Sequence, residues 1–272
     1  MKYAFKTYHI ISKIDLNSSK KFMFNEFKSK ISDINIDVIK AYLVHLLTGT
    51  GILMSFFSII SILNEDKLLT FLFLIIALFI DVIDGNLARK FNVKKFCPNV
   101  DGVMLDSIVD YINYVFIPCI IIYKFNYVPE QFIIILPILI LSISLFSFSY
   151  LKIMTENYLY IGFPSIWNVI IIYLSILDLN VWNNLFILVI LILLKIIPIK
   201  VIHPMRYKNH KRKNSIIAIS LIFVSLILLL NSLSINFLDK FKSIFEIIWY
   251  VLNTYFIMFV IWINLNFKKR LS

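Results

Sequence analysis

The chain has 272 residues, 60% of them hydrophobic and only 16% charged, with a mean hydropathy of +0.86. That balance excludes an ordinary water-soluble domain and places the chain in a bilayer. The net charge of +11 does not point to nucleic acid, because Lys and Arg stand beside apolar blocks instead of forming one basic domain. Cys97 and Cys119 are the only cysteines, too few for a disulfide framework or a zinc site.

In chain order, the first 37 residues are basic and hold no apolar run followed by a small-residue cleavage site, so no cleaved signal peptide is expected. Phe24, Phe27, Ile31 and Ile34 recur at helical spacing between Lys20, Lys21, Lys28 and Lys30, a pattern for a helix lying in the membrane interface. Eight apolar blocks follow: Val38 to Leu63, Leu68 to Arg89, Gly102 to Phe125, Phe132 to Ile153, Phe163 to Leu177, Leu185 to Ile202, Asn214 to Leu233, and Phe245 to Ile263. Most approach the roughly 20 residues that cross about 30 Å of hydrocarbon as helix. Strands of alternating polarity are absent, which argues for a helical bundle over a barrel. The expected fold is therefore an all-α, polytopic helical membrane protein with about eight transmembrane helices. Its segments are a basic N-terminal region (1–37), one transmembrane catalytic domain (38–267) and a basic tail (268–272).

The breaks between blocks alternate in charge. Basic residues crowd the N-terminal segment, the break at Arg89, Lys90, Lys94 and Lys95, the break from Lys200 to Lys213, and the tail at Lys268, Lys269 and Arg270. The intervening breaks are neutral, mixed or, near Lys152, weakly informative. Because cytoplasmic loops are enriched in Lys and Arg, both termini are expected on the cytoplasmic side.

Carboxylates inside apolar spans carry the chemistry. Asp81 and Asp84 are three residues apart, and Asp106 and Asp110 are four apart, so each pair shares a helix face. The two helices enter from the same basic loop in opposite directions, which brings all four to a similar depth near the cytoplasmic third. An aspartate near a helix centre costs on the order of 2.5–3.5 kcal/mol to insert, and clustering adds repulsion. A cation must offset this. Oxygen donors without His or Cys favour Mg²⁺ or Mn²⁺, and four carboxylates suffice for two ions, with a carboxylate left to take a proton from an attacking hydroxyl. Gly85 and Ala88 keep the same face small.

The stretch Asp81-Val-Ile-Asp84-Gly85-Asn-Leu-Ala88-Arg89, followed by Gly102-Val-Met-Leu-Asp106-Ser-Ile-Val-Asp110, resembles the signature of the CDP-alcohol phosphotransferase family at every fixed position. The twelve-residue spacer, Lys90 to Asp101, is longer than the commonest family spacing. It looks like the bacterial phosphatidylcholine synthase branch, as do Val44 to Thr48, Gly162 to Asn168 and His203-Pro204-Met205-Arg206. The resemblance implies that Asp81, Asp84, Asp106 and Asp110 hold metal, and that Asp110 also serves as general base. Gly85, Ala88 and Gly102 would give room to the nucleotide, and Arg89 would help place its phosphates. It implies phosphatidyl transfer from CDP-diacylglycerol to choline with release of CMP, in a multi-pass protein of the bacterial inner membrane whose site faces the cytoplasm and membrane lipid. A homodimer is compatible with this reading.

Choline is held by aromatic faces, each contributing about 0.5–2 kcal/mol. Tyr111, Tyr114 and Trp167 are the leading candidates, with Tyr150, Tyr158 and Tyr160 behind them, although interfacial aromatics also serve as membrane belts. The basic loop around Arg206 could bind anionic lipid or a phosphate, although topology alone accounts for it. Two other functions fit less well: transfer to serine, inositol phosphate or glycerol phosphate, and ion-coupled transport. Phosphorylated acceptors need a further cationic pocket, for which Lys152 and Lys195 are the intramembrane candidates. A transporter often repeats its motif in a second half, and the acidic motif occurs once here.

Overall fold

The structure, a computed structural model, describes residues 35–150, 154–155, 157–233 and 240–268. The amphipathic segment around Phe24 to Ile34 and the tail at Lys269 and Arg270 lie outside the described residues. Among the described residues, six helical segments are long and apolar enough to span a membrane. The first two are α1 (Ile36–Leu63) and α2 (Lys67–Lys90), followed by the single turn α3 (Val93–Phe96). The third span runs from α4 (Gly102–Tyr111) through a π-helical turn (Ile112–Phe116) into α5 (Ile117–Lys124). The fourth is α6 (Ile135–Ser149) with a 3₁₀ turn ahead of it, and the last two are α9 (Lys211–Ser232) and α10 (Lys242–Lys268).

Side-chain caps explain where several helices start. The carboxylates of Asp66 and Asp101 accept the N–H groups of Leu69 and of Val103 and Met104, which satisfies first-turn donors that have no helical partner.

The fifth and sixth apolar blocks differ from expectation. They form shorter helices, α7 (Trp167–Leu177) and α8 (Val181–Ile196), below the span length. Asn180 caps α8 by accepting from Asn183 N–H, so it starts earlier than Leu185. It stops at Ile196 because Ile197 precedes Pro198 and is extended (φ −75°, ψ 131°), as a pre-proline residue must be. The residues beyond form strand β2 (Lys200–Ile202), which pairs antiparallel with β1 (Leu159–Ile161) in register Tyr160 to Val201. Gly162 joins β1 to α7 at φ +84°, and a β-carbon there would lie 2.5 Å from the Lys195 carbonyl oxygen. Only glycine satisfies both conditions. Lys195 Nζ donates to the Phe163 carbonyl at 3.2 Å and to Ser165 Oγ at 2.5 Å, tying this turn to α8.

Packing starts from a small-residue stripe on α1. Ala41, Val44, Thr48, Gly51, Ser55, Ser58 and Ile62 recur every three or four residues and are buried. Small side chains let backbones approach, which drives helix association where hydrophobicity alone does not discriminate between lipid and protein. A β-carbon on Gly51 would come within 2.6 Å of Val109 Cγ1 on α4. One turn on, Asn113 is buried in the π turn. Its amide donates to the carbonyls of Gly51 (3.3 Å) and Val109 (3.2 Å), and its oxygen accepts from Ser55 Oγ at 2.7 Å. The wider π turn thus seats a polar side chain between two spans.

The main apolar core includes Phe71, Leu74, Ile121, Ile140, Trp167, Ile171 and Leu188, with Tyr111 and Tyr114 packed against it. The last two spans pack on one another through Trp249 Nε1 to Ser225 Oγ (2.9 Å) and Tyr255 hydroxyl to Asn214 Oδ1 (2.8 Å). Asn264 on α10 also pairs with β2, accepting from Lys200 N and donating to Lys200 O, both at 2.9 Å.

Candidate active site

Asp81 and Asp84 project from the C-terminal half of α2, and Asp106 and Asp110 from α4. The ligand oxygens of Asp81, Asp84 and Asp106 all lie within 4.8 Å of one another. Asp110 faces the same cavity, which is also lined by Thr48, Gly51, Ala77, Val109, Asn113 and Tyr114, with about 10 Å³ of free volume. Asp84 is 3% exposed, so its carboxylate has little water to solvate it. The salt bridges among the described residues are Lys40–Asp37, Lys124–Glu65 and Lys242–Glu246, and none includes the four aspartates. One buried and three half-buried carboxylates, gathered with no salt bridge to them among the described residues, form a donor set that could hold a hard metal ion.

The neighbours of the cluster come from three places. Tyr114, one turn beyond Asp110, donates its hydroxyl hydrogen to Asp81 Oδ2. Gly85 opens a face of α2 toward two guanidinium groups: a β-carbon there would lie 3.5 Å from Arg206 Nη2 and 3.7 Å from Arg89 Nη1. Arg89 is additionally fixed by a 2.6 Å hydrogen bond from Nη2 to Asn86 Oδ1. Arg206 acts electrostatically on all four aspartates.

Arg206 follows the hairpin directly. His203, at the end of β2, stacks on Tyr160 of β1 with ring centroids 5.7 Å apart and planes 12° from parallel. Burial, with Arg206 and Arg89 nearby, pushes the His203 imidazole down from 6.5 to about 4, so it is neutral at physiological pH. In keeping with that, its Nδ1 accepts the Met205 N–H at 3.3 Å. Burial and the charges of Asp110, Asp81 and Asp106 push the Tyr160 hydroxyl up to about 12, against an opposing effect of Arg206.

The remaining sequence candidates fall in different places. Ala88 packs toward Ala41 and Val44 on α1, and Gly102 opens onto His45, whose Cε1 would lie 2.8 Å from a β-carbon there. Tyr111 donates to the Leu141 carbonyl at 3.0 Å and packs edge-on against Phe148, facing α6. Trp167 is fully buried and donates to Ser144 Oγ at 2.9 Å. Neither lines the acidic cavity. Tyr150 is 70% exposed. Of the six aromatics, Tyr114 is the one that bonds to an aspartate and lines their cavity, while Tyr160 lies within their electrostatic influence. Arg206 and Tyr160 receive no distinction from sequence spacing, because no periodicity links them to the acidic helices; the only local signal is the His203-Pro204-Met205-Arg206 string.

The fold and site define a multi-pass helical membrane protein whose helices converge on an acidic, cation-competent centre with a basic rim. The CDP-alcohol phosphatidyltransferase family model matches residues 41–267, and the chain belongs to that family. It is similar to a protein named phosphatidylcholine synthase from Borreliella burgdorferi, 37% identical over 77% of this chain and 90% of the relative. Another of that name, from Pseudomonas aeruginosa, is 33% identical over 84% of this chain and 93% of its own length.

Proposed function

We propose that the chain is a phosphatidylcholine synthase, transferring the phosphatidyl group of CDP-diacylglycerol to choline and releasing CMP. The observation that carries this reading is the meeting of Asp81, Asp84 and Asp106 within 4.8 Å, in a chain of this family, beside Asp110. The likeness to two phosphatidylcholine synthases over most of their length supports choline as acceptor.

The all-oxygen donor set and the absence of a salt bridge to it among the described residues suit Mg²⁺ or Mn²⁺, with Asp81, Asp84, Asp106 and Asp110 as ligands to two ions. Bound there, such ions would neutralise a diphosphate and draw charge from its phosphorus. Asp110 takes the hydroxyl proton of choline while the oxygen forms its bond to the β-phosphorus. The bond from that phosphorus to the CMP oxygen breaks, and CMP leaves with the electron pair. Tyr114 holds the orientation of Asp81 through its hydroxyl. Tyr114, at the carboxylates, and Tyr160, within their electrostatic influence, are the aromatic surfaces offered to a quaternary ammonium. In this reading the protein lies in a bacterial inner membrane, with the site open to cytoplasmic choline.

The test is choline-dependent CMP release by purified protein supplied with CDP-diacylglycerol and Mn²⁺. Release that needs serine, inositol phosphate or glycerol phosphate instead overturns choline as acceptor. Release with no acceptor other than water overturns the transferase reading.

A further inference from the structure

Two guanidinium groups meet at Gly85, and only one of them belongs to the acidic motif. Arg89 lies on α2 itself. Arg206 arrives from the far part of the chain, and its backbone is held from several sides. Arg206 N–H and Tyr207 N–H donate to the His203 carbonyl at 3.1 and 3.0 Å, and His203 N–H donates to the Tyr158 carbonyl at 3.1 Å. His203 stacks on Tyr160, Tyr207 is buried edge-on against Phe259 of α10 at 5.9 Å, and Asn264 pins the other end of β2. A side chain needed only to mark a cytoplasmic loop requires none of this support.

Like charges brought to one point are unfavourable unless an anion lies between them. The acidic cluster draws Arg206 inward, yet Arg206 makes no salt bridge with it among the described residues. Its nitrogen stands over Gly85, where the missing side chain leaves backbone-level room beside Arg89. A planar guanidinium matches a phosphate's paired oxygens, which a lysine cannot do.

We infer that Arg206, carried to Gly85 by the β1–β2 hairpin, binds the diphosphate of the nucleotide lipid beside the metal-binding aspartates. This rests on the proposed function, in which the site takes CDP-diacylglycerol. The hairpin and α10 are then parts of the nucleotide site, not only of the scaffold.

The experiment measures binding of CDP in the presence of Mn²⁺ by calorimetry, and steady-state kinetics with CDP-diacylglycerol, for the wild type, Arg206→Lys and Arg206→Ala. Melting temperature is recorded for each, and Arg206→Lys serves as the variant that keeps the charge if Arg206→Ala folds poorly. The expected result is CDP binding weakened tenfold or more in Arg206→Ala and by a smaller factor in Arg206→Lys, with a matching rise in KM for CDP-diacylglycerol. The KM for choline and the Mn²⁺ concentration for half activation should change less than twofold. Unchanged CDP binding in both variants, or a change confined to Mn²⁺ activation or to the acceptor's KM, overturns the inference and leaves the proposed function standing. A wild type that binds CDP but ignores choline overturns the acceptor and leaves Arg206 standing. A wild type that does not bind CDP with Mn²⁺ removes both.

Discussion

Tyr114 donates its hydroxyl hydrogen to the carboxylate of Asp81, joining the π turn of the third span to the acidic face of α2. A hydrogen bond to a charged group contributes about 1.5–3 kcal/mol, and loss of a supporting partner commonly weakens metal binding about 10–100-fold. Tyr114→Phe keeps the ring and removes this bond. The Mn²⁺ concentration for half activation should therefore rise about tenfold or more. A metal titration of CMP release checks it, and an unchanged curve rejects the positioning role.

The four aspartates should separate by role. Asn at Asp81, Asp84 or Asp106 should weaken Mn²⁺ binding and abolish turnover at ordinary metal concentrations. Asp110→Asn should retain part of the metal affinity while losing about 10²–10⁴-fold in kcat, the usual size of a general-base contribution. Mn²⁺ binding followed by electron paramagnetic resonance, alongside activity, distinguishes the two classes. Chelation of metal from the wild type should stop CMP release, and added Mn²⁺ should restore it.

Close approach of α1 to α4 predicts a paired result. A β-carbon on Gly51 meets Val109 Cγ1 at 2.6 Å, and a branched side chain cannot swing clear. Gly51→Ala should cost about 1–3 kcal/mol through overpacking. Val109→Ala in the same chain should recover much of that loss, because it removes the methyl groups that clash. Thermal unfolding in detergent of the two single variants and the double variant measures the coupling.

Stability should depend on acid through His203. Its folded value of about 4 lies below the ordinary 6.5, so between these values the folded protein binds fewer protons than the unfolded chain. The contribution is fully present above about pH 6.5 and is lost as pH falls toward about 4. His203→Gln should show a shallower fall in melting temperature across that interval than the wild type. Parallel curves would count against the assignment.

The hairpin should depend on α10. Asn264→Ala removes two 2.9 Å hydrogen bonds to Lys200 of β2, each contributing about 0.5–1.5 kcal/mol. Hydrogen exchange of residues 199–203 should speed up while α1 and α2 are unaffected. Equal acceleration in all three regions would mean that Asn264 supports the whole bundle.

Sequence alone settled the class of protein, the positions of the long spans and the pairing of the aspartates. Those features are local: span length follows bilayer thickness, and side chains three or four residues apart share a helix face. The family signature between Asp81 and Asp110 is equally local and fully legible. Tertiary structure decided which aromatics and cations join the aspartates. Tyr111 and Tyr114 are close neighbours in sequence, yet one faces α6 and the other Asp81, because the π turn that begins at Ile112 widens the helix and changes its angular advance between them. Arg206 is one basic residue among several in its loop until β1 pairs with β2 and Asn264 fixes the strand end. Hydrogen-bond register between distant segments sets that placement, and no spacing along one segment encodes it.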